Sequence, residues 1–189
     1  MNTKPTPKRH TPPKPSGLPS GHYVGTITNT KVGKLFILVT TQFAHLEGQM
    51  AGVLAALIPT ADNTAAGYIL RSIKSPRGRI DLMRDLLTLS PHNADKSDFF
   101  DEIIGDFAAI NTARNRYVHA LWYTFTETKD VYLCPYDVHG MGLLDAAPVD
   151  VVAMQTLLED MHALQIKIAR LGHSQALAAQ LAAQPSKPL

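Results

Sequence analysis

Cysteine is almost missing from this 189-residue chain, where Cys134 stands alone. A single thiol closes no intrachain disulfide, so no covalent staple supports the fold, and the usage fits a reducing compartment. Long apolar runs are missing too. No segment holds 18 uninterrupted apolar residues, which argues against a membrane span. The opening MNTKPTPKRHTPPKPSG has no apolar stretch of the secretory kind. We therefore expect a cytoplasmic protein without membrane contact. Neither sign of charge dominates: 18 Lys and Arg against 16 Asp and Glu leave +2. That total makes no case for nucleic acid or lipid, so any basic surface has to be local. P-loop, GxGxxG and HExxH patterns are absent as well, which removes the sequence signatures of phosphate cradles, dinucleotide folds and zincin sites.

What the chain does have is an ordinary globular composition, 45% hydrophobic and 18% charged, at a length that supports one domain with a real core. Residues 1–20 are set apart by Pro5, Pro7, Pro12, Pro13, Pro15 and Pro19 among lysines. Proline removes backbone donors and little there can be buried, so a disordered tail is expected, either solubilising or an arm touching nucleic acid. Residues 21–172 read as the folded domain, with 21–29 an extended lead-in, and 173–189 read as an Ala-rich tail.

Inside the domain, apolar residues recur at steps of three and four. Leu35, Leu38, Val39, Phe43, Leu46, Met50, Val53, Leu54 and Leu57 predict a helix over 34–58, stopped by Pro59. A second helix is expected over 62–73 with Asp62 near its N-cap, a third over 79–89 after the turn KSPRG, and a fourth from Ser97 or Asp98 to Leu121. The period then changes. WYTFTETKDVYLCPYD is aromatic and β-branched around a polar Thr128-Lys129-Asp130 centre and predicts a β-hairpin. The last helix is expected to start near Pro148, with Met154, Leu157, Met161, Leu164, Ile168 and Leu171 as a coiled-coil-like seam that Gly172 interrupts. The fold class is all-α: an antiparallel helical bundle of about five helices, with a small β-hairpin inserted before the last one.

The stretch ARNRYVHALW, residues 113–122, is the anomaly. On a helix of 3.6 residues per turn, Phe100, Ile103, Phe107, Ile110, Val118 and Leu121 share one face. Arg114 falls in the middle of it. Asn115 and His119 lie on its flank, four residues apart and within reach of each other. An unpaired buried guanidinium costs several kcal/mol or more. Arg114 must therefore meet an acid such as Glu47 or Asp106, line a crevice, or face a second chain.

The segment Arg114-Asn115-Arg116-Tyr117-Val118-His119 resembles the Arg-x4–6-His motif of HEPN domains, and the helical layout over roughly residues 31–172 agrees. Ala120 stands where many members carry glycine. HEPN proteins are helical bundles, often homodimers. Many are metal-independent endoribonucleases, others are inactive binding or sensing modules, and some are toxins or phage-defence effectors paired with an antitoxin. The resemblance implies a ribonuclease or toxin-type effector acting through Arg114, Asn115 and His119, with no metal and no cofactor. The alternative it leaves open is a non-catalytic binding or assembly module. The chemistry suits the residue types. Metal-free RNA cleavage needs a base near the 2′-OH, an acid for the leaving 5′-oxygen and a cation for the phosphorane. Histidine titrates near neutrality, arginine offers a forked donor to phosphate, and Asn115 orients one or the other. One chain supplies one such histidine, and a two-fold dimer supplies two. The partners expected are thus a second copy, RNA and an antitoxin-like protein.

Other signals are weaker. RSIKSPRGRIDLMR gathers Arg71, Lys74, Arg77, Arg79 and Arg84, a solvated corner or a phosphate contact. Arg77 and Arg79, with Arg116, are the substrate-binding candidates. Glu47 is the candidate acid behind Arg114. His45, His119 and His162 lie on separate helices without the acid spacing of a bundle metal site. Trp122 and Tyr123 read as hairpin anchors, and Cys134 as a structural residue.

Overall fold

A computed structural model describes residues 17–18, 20–58, 62–89, 97–137, 140–141 and 145–182. The chain is mostly helical with a small antiparallel sheet. The helices are α1 (Thr30–Leu57), α2 (Asn63–Ser72), α3 (Pro76–Leu89), α4 (Ser97–Val118) and α5 (Val151–Ala182). The strands are β1 (Tyr23–Val24), β2 (Ala120–Phe125), β3 (Val131–Asp137), β4 (Gly140–Met141) and β5 (Ala147–Pro148). Contacts group into two units. One comprises Met1–Ile37 and Arg116–Thr156, the other Leu38–Asn115 and Leu157–Leu189. Much of the Pro-rich tail, residues 90–96 and the last residues of the Ala-rich tail lie outside the described residues. Among the described residues no helix is long and apolar enough to cross a membrane.

The first unit holds the sheet. The expected hairpin exists, but it is the centre of something larger. β2 pairs with β3 in the register Leu121 opposite Cys134 and Tyr123 opposite Tyr132. β1, from the extended lead-in, adds to β2 with Tyr23 opposite Phe125. β4 and β5 both pair with β3. A two-stranded hairpin is marginal alone, and the extra strands give it partners. Phe125 N–H donates to Asp130 O (2.8 Å) across the turn, where Lys129 takes the left-handed conformation with φ 63°. Gly21 is needed at its place: its φ is +152° and an added Cβ would sit 2.1 Å from the Phe125 ring. Thr124 is fully buried yet satisfied, donating to Thr26 O (2.6 Å) and accepting from Thr28 N–H (3.2 Å). Trp122 anchors the strand as expected. Its indole N–H donates to Tyr117 O (3.0 Å), and its ring meets Phe36 edge-on at 5.1 Å.

The second unit is helical. Its core takes Val39, Phe43, Leu46, Met50, Leu54 and Leu57 from α1, Leu70 from α2, Ile80 and Met83 from α3, and Phe100, Ile103, Ile104 and Phe107 from α4. From α5 it takes Leu157, Met161, Leu164, Ile168 and Leu171, and these seam positions, like Met154 of the first unit, are buried in the chain itself. The seam is therefore not a free face for a coiled-coil partner. Gln165 donates to Gln42 (3.0 Å), and Lys167 reaches Glu102 (3.0 Å) and Asp106 (2.5 Å).

Several boundaries differ from the expectation, each for a local reason. α1 starts at Thr30 because Asn29 Oδ1 accepts from the N–H groups of Lys31 (3.0 Å) and Val32 (3.2 Å). α2 does carry Asp62 as its N-cap, accepting from Ala65 N–H. α3 starts at Pro76, a favourable first position for proline, with Ser75 Oγ accepting from Gly78 N–H. α4 stops at Val118, so Leu121 belongs to β2 and not to the helix stripe. Pro148 sits in β5 opposite Tyr132, and α5 starts behind the Asp150 cap, whose Oδ1 accepts from Ala153 N–H (2.9 Å). α5 runs past Gly172 to Ala182. One glycine costs about 1 kcal/mol in a helix, and the following alanines propagate it.

Candidate active site

The apolar stripe of α4 forms as its spacing dictates: Phe100, Ile103, Phe107 and Ile110 are buried. Two polar residues interrupt it, Asn111 and Arg114. Arg114 is half-buried, and its guanidinium lies over the Phe43 ring, 4.9 Å from the centroid. Phe43 in turn stacks on Phe107 at 5.7 Å with an interplanar angle of 11°. The cation thus caps an aromatic column, a place where it is attracted to the ring face without a counter-ion. Arg114 Nη1 donates to Asn115 Oδ1 at 3.0 Å, so the neighbouring amide fixes the guanidinium plane.

Among the described residues no carboxylate lies within ion-pair distance of Arg114. Both acids that could have neutralised it are engaged elsewhere. Glu47 accepts from Arg79 Nη1 at 2.8 Å, and Asp106 pairs with Lys167. Glu47 is therefore not the acid behind Arg114. Arg114 Nε is buried without a hydrogen-bond partner. So is Asn111 Oδ1, on a residue only 9% exposed. Asn111 stands one turn before Arg114 and Asn115 on the same helix. Each unsatisfied buried polar atom costs about 1–3 kcal/mol, and here two fall on one turn of α4. Asn111 was missed by motif reading. Its signal was available, since three- and four-residue spacing puts it on the Phe107 face.

The remaining candidates fall elsewhere. His119 is exposed and follows the last residue of α4, in the bend before β2. The helical relation to Asn115 expected from four-residue spacing therefore does not exist. By contact grouping Arg114 and Asn115 belong to the helical unit, and Arg116 and His119 to the sheet unit. Arg116 is exposed in the last turn of α4, where a cation complements the helix dipole. Between them Tyr117 is buried, and its phenol is pushed up by that burial and by Asp150, with Arg116 pulling the other way. Arg77 points into solvent, its side chain 90% exposed, and approaches Asp81 at 3.7 Å. Arg79 is engaged otherwise. Besides Glu47, its Nε donates to Leu70 O and Ile73 O, both at 3.0 Å, which satisfies carbonyls at the end of α2.

Among the described residues no three His, Cys, Asp or Glu side chains are grouped so that they could hold a metal ion. A cavity of about 360 Å³ lies in the sheet unit among Asn29, Val32, Asp130, Tyr132 and Val151, and no motif residue lines it. Cys134 is fully buried, and burial, with Asp145, pushes its thiol up, away from the thiolate a nucleophile needs. No protein-family model, no curated protein and no solved structure matches this chain.

Proposed function

We propose that the chain is a HEPN-like, metal-independent endoribonuclease, of the kind found in toxins and defence effectors, acting on RNA through Arg114, Asn115 and His119. On this reading the five helices form an antiparallel bundle, and the working unit is a homodimer that brings two histidines to one substrate. One observation carries the proposal. Arg114 is a half-buried guanidinium with no carboxylate partner among the described residues, held in plane by Asn115 and with Nε left over. A structural arginine in that position meets an acid, as Arg79 meets Glu47. An arginine kept for phosphate does not, because a permanent counter-ion would compete with the substrate. His119, exposed five residues on, is the proton carrier in this scheme.

The position of His119 outside α4 favours a second reading, a HEPN-like module that binds or assembles without cleaving. The two are separated by incubating RNA with purified wild type and His119→Ala, with and without EDTA. The ribonuclease reading expects scission that survives chelation, leaves a 2′,3′-cyclic phosphate or 3′-phosphate, and disappears in His119→Ala. Activity lost to EDTA, or retained by His119→Ala, rejects it. The dimer is tested by light scattering at tens of micromolar, on the order of 10⁻⁵ M, where a tight pair stays associated. A strictly monomeric mass removes the two-histidine scheme.

A further inference from the structure

The corner between α2 and α3 combines three features that the Arg114 region does not use. The first is an exposed aromatic ring. Tyr68 is 67% exposed on α2, with the apolar Ile69 beside it at 36%. The second is a cation placed on that ring: the Arg71 guanidinium lies 4.8 Å from the Tyr68 centroid, and its Nε donates to Gly67 O at 3.1 Å. The third is local charge. Between Asp62 and Asp81 the chain has no acid, while Arg71, Lys74, Arg77 and Arg79 all fall there. Arg79 is neutralised by Glu47, and Asp81 meets Arg77 only at 3.7 Å between exposed groups, a weak pairing. Arg71, Lys74 and Arg77 remain as outward-facing cations.

The corner is braced. Arg79 ties its own helix to the carbonyls of Leu70 and Ile73. Gly78 packs so closely that an added Cβ would lie 3.0 Å from both Ile73 Cγ2 and Ser75 Oγ. The cations therefore stand on a fixed turn, beside a ring whose burial contributes little to the fold. A single exposed aromatic needs no explanation. One held under a guanidinium, in a corner where Arg71 and Lys74 form no ion pair among the described residues, has the composition of a stacking platform with a phosphate track.

We propose that this corner binds single-stranded RNA, Tyr68 stacking on an unpaired base while Arg71, Lys74 and Arg77 hold the flanking phosphates. The choice of RNA over other single strands rests on the ribonuclease reading, whereas the stacking and charge argument does not. Acidic protein is the competing partner class. It satisfies the cations but gives Tyr68 nothing to stack on.

The test is fluorescence anisotropy with a labelled 2′-O-methyl oligouridylate of about 12 nucleotides, which cannot be cleaved at its 2′-oxygens and spans the reach of such a site. Tyr68→Phe should bind within about twofold of wild type, and Tyr68→Ala at least about tenfold more weakly, since base stacking is lost. Arg71→Gln/Lys74→Gln/Arg77→Gln should weaken binding and flatten the salt dependence by about 2 log units per log unit of salt, at about 0.7 per phosphate contact. Circular dichroism of Tyr68→Ala should be unchanged, because the ring is mostly outside the core. Tyr68→Ala binding like wild type overturns the proposal. So does a labelled polyglutamate that binds as tightly as the oligonucleotide, which would make the corner an acidic-protein surface. Cleavage that depends on His119 alongside binding indifferent to Tyr68 defeats this inference alone. Tyr68-dependent binding without any cleavage defeats the ribonuclease reading and leaves standing a platform for single-stranded nucleic acid.

Discussion

Replacing Arg114 by alanine separates a functional arginine from a structural one by its effect on stability. Three contributions are at stake. The guanidinium over Phe43 contributes about 0.5–2 kcal/mol as a cation–π contact. The bond to Asn115 Oδ1, a charged donor on a neutral acceptor, contributes about 1.5 kcal/mol or less, because the half-buried amide regains water once the arginine is gone. Against these stands the relief of Arg114 Nε, whose burial without a partner costs about 1–3 kcal/mol and vanishes with the side chain. No partner charge is stranded, since no carboxylate among the described residues pairs with the group. These ranges largely cancel, so Arg114→Ala is expected to change stability by no more than about 2.5 kcal/mol, a Tm shift of a few degrees in a chain of this length. Had Arg114 been half of a buried ion pair, the loss would be about 3–5 kcal/mol. Urea unfolding followed by circular dichroism at several protein concentrations gives the number, and RNA cleavage by the same samples gives the activity. We expect cleavage to fall at least about 100-fold, the scale of losing one preorganised charge donor. Arg114→Lys should restore stability more than activity, because an ammonium keeps the charge near the ring but not the planar fork. A loss above about 3 kcal/mol in Arg114→Ala, or full activity in Arg114→Lys, would refute the reasoning.

Arg79→Ala should behave in the opposite way, losing about 2–4 kcal/mol because Glu47 is left half-buried and the end of α2 loses its donor; Arg77→Ala should change stability by no more than about 0.5 kcal/mol, and equal effects from the two would contradict the assignment. The Cys134 thiol should resist iodoacetamide in the native protein at pH 8 and react fully in guanidinium chloride, since burial keeps it protonated; rapid native alkylation would contradict its place in the sheet. For Lys167, burial works against the charged form, but the hydrogen bonds and charges of Asp106 and Glu102 outweigh it and raise the ammonium above its usual value. A raised folded value means the contribution is complete below the unfolded value of about 10.4 and is lost as pH climbs through the folded one. Lys167→Met should thus be less stable than wild type by about 0.5–1 kcal/mol at pH 7, with the gap closing above about pH 10.5, as read from urea midpoints along a pH series.

Much of the helical frame was legible in the one-dimensional pattern because it is set by local rules. Three–four spacing put Phe43, Leu46, Phe107 and Met161 on buried faces, and those faces are buried. Asp62 was legible as a cap because capping is a three-residue affair. The turn around Lys129 was legible because its polar centre interrupts two β-branched runs. The same local pattern exposed the oddity of Arg114, a cation on an apolar stripe. What lay beyond it depends on partners distant in sequence. α4 ends at Val118 because Ala120 and its successors pair with β3, and that pairing took His119 and Leu121 off the helix. Pro148 went to a strand because Tyr132 stands opposite it. No periodicity could say that Glu47 belongs to Arg79 while Arg114 stacks on Phe43. Each choice is between side chains dozens of residues apart, and only the packing of the helices brings one pair within hydrogen-bond reach and sets the other arginine on a ring, with no acid among the described residues.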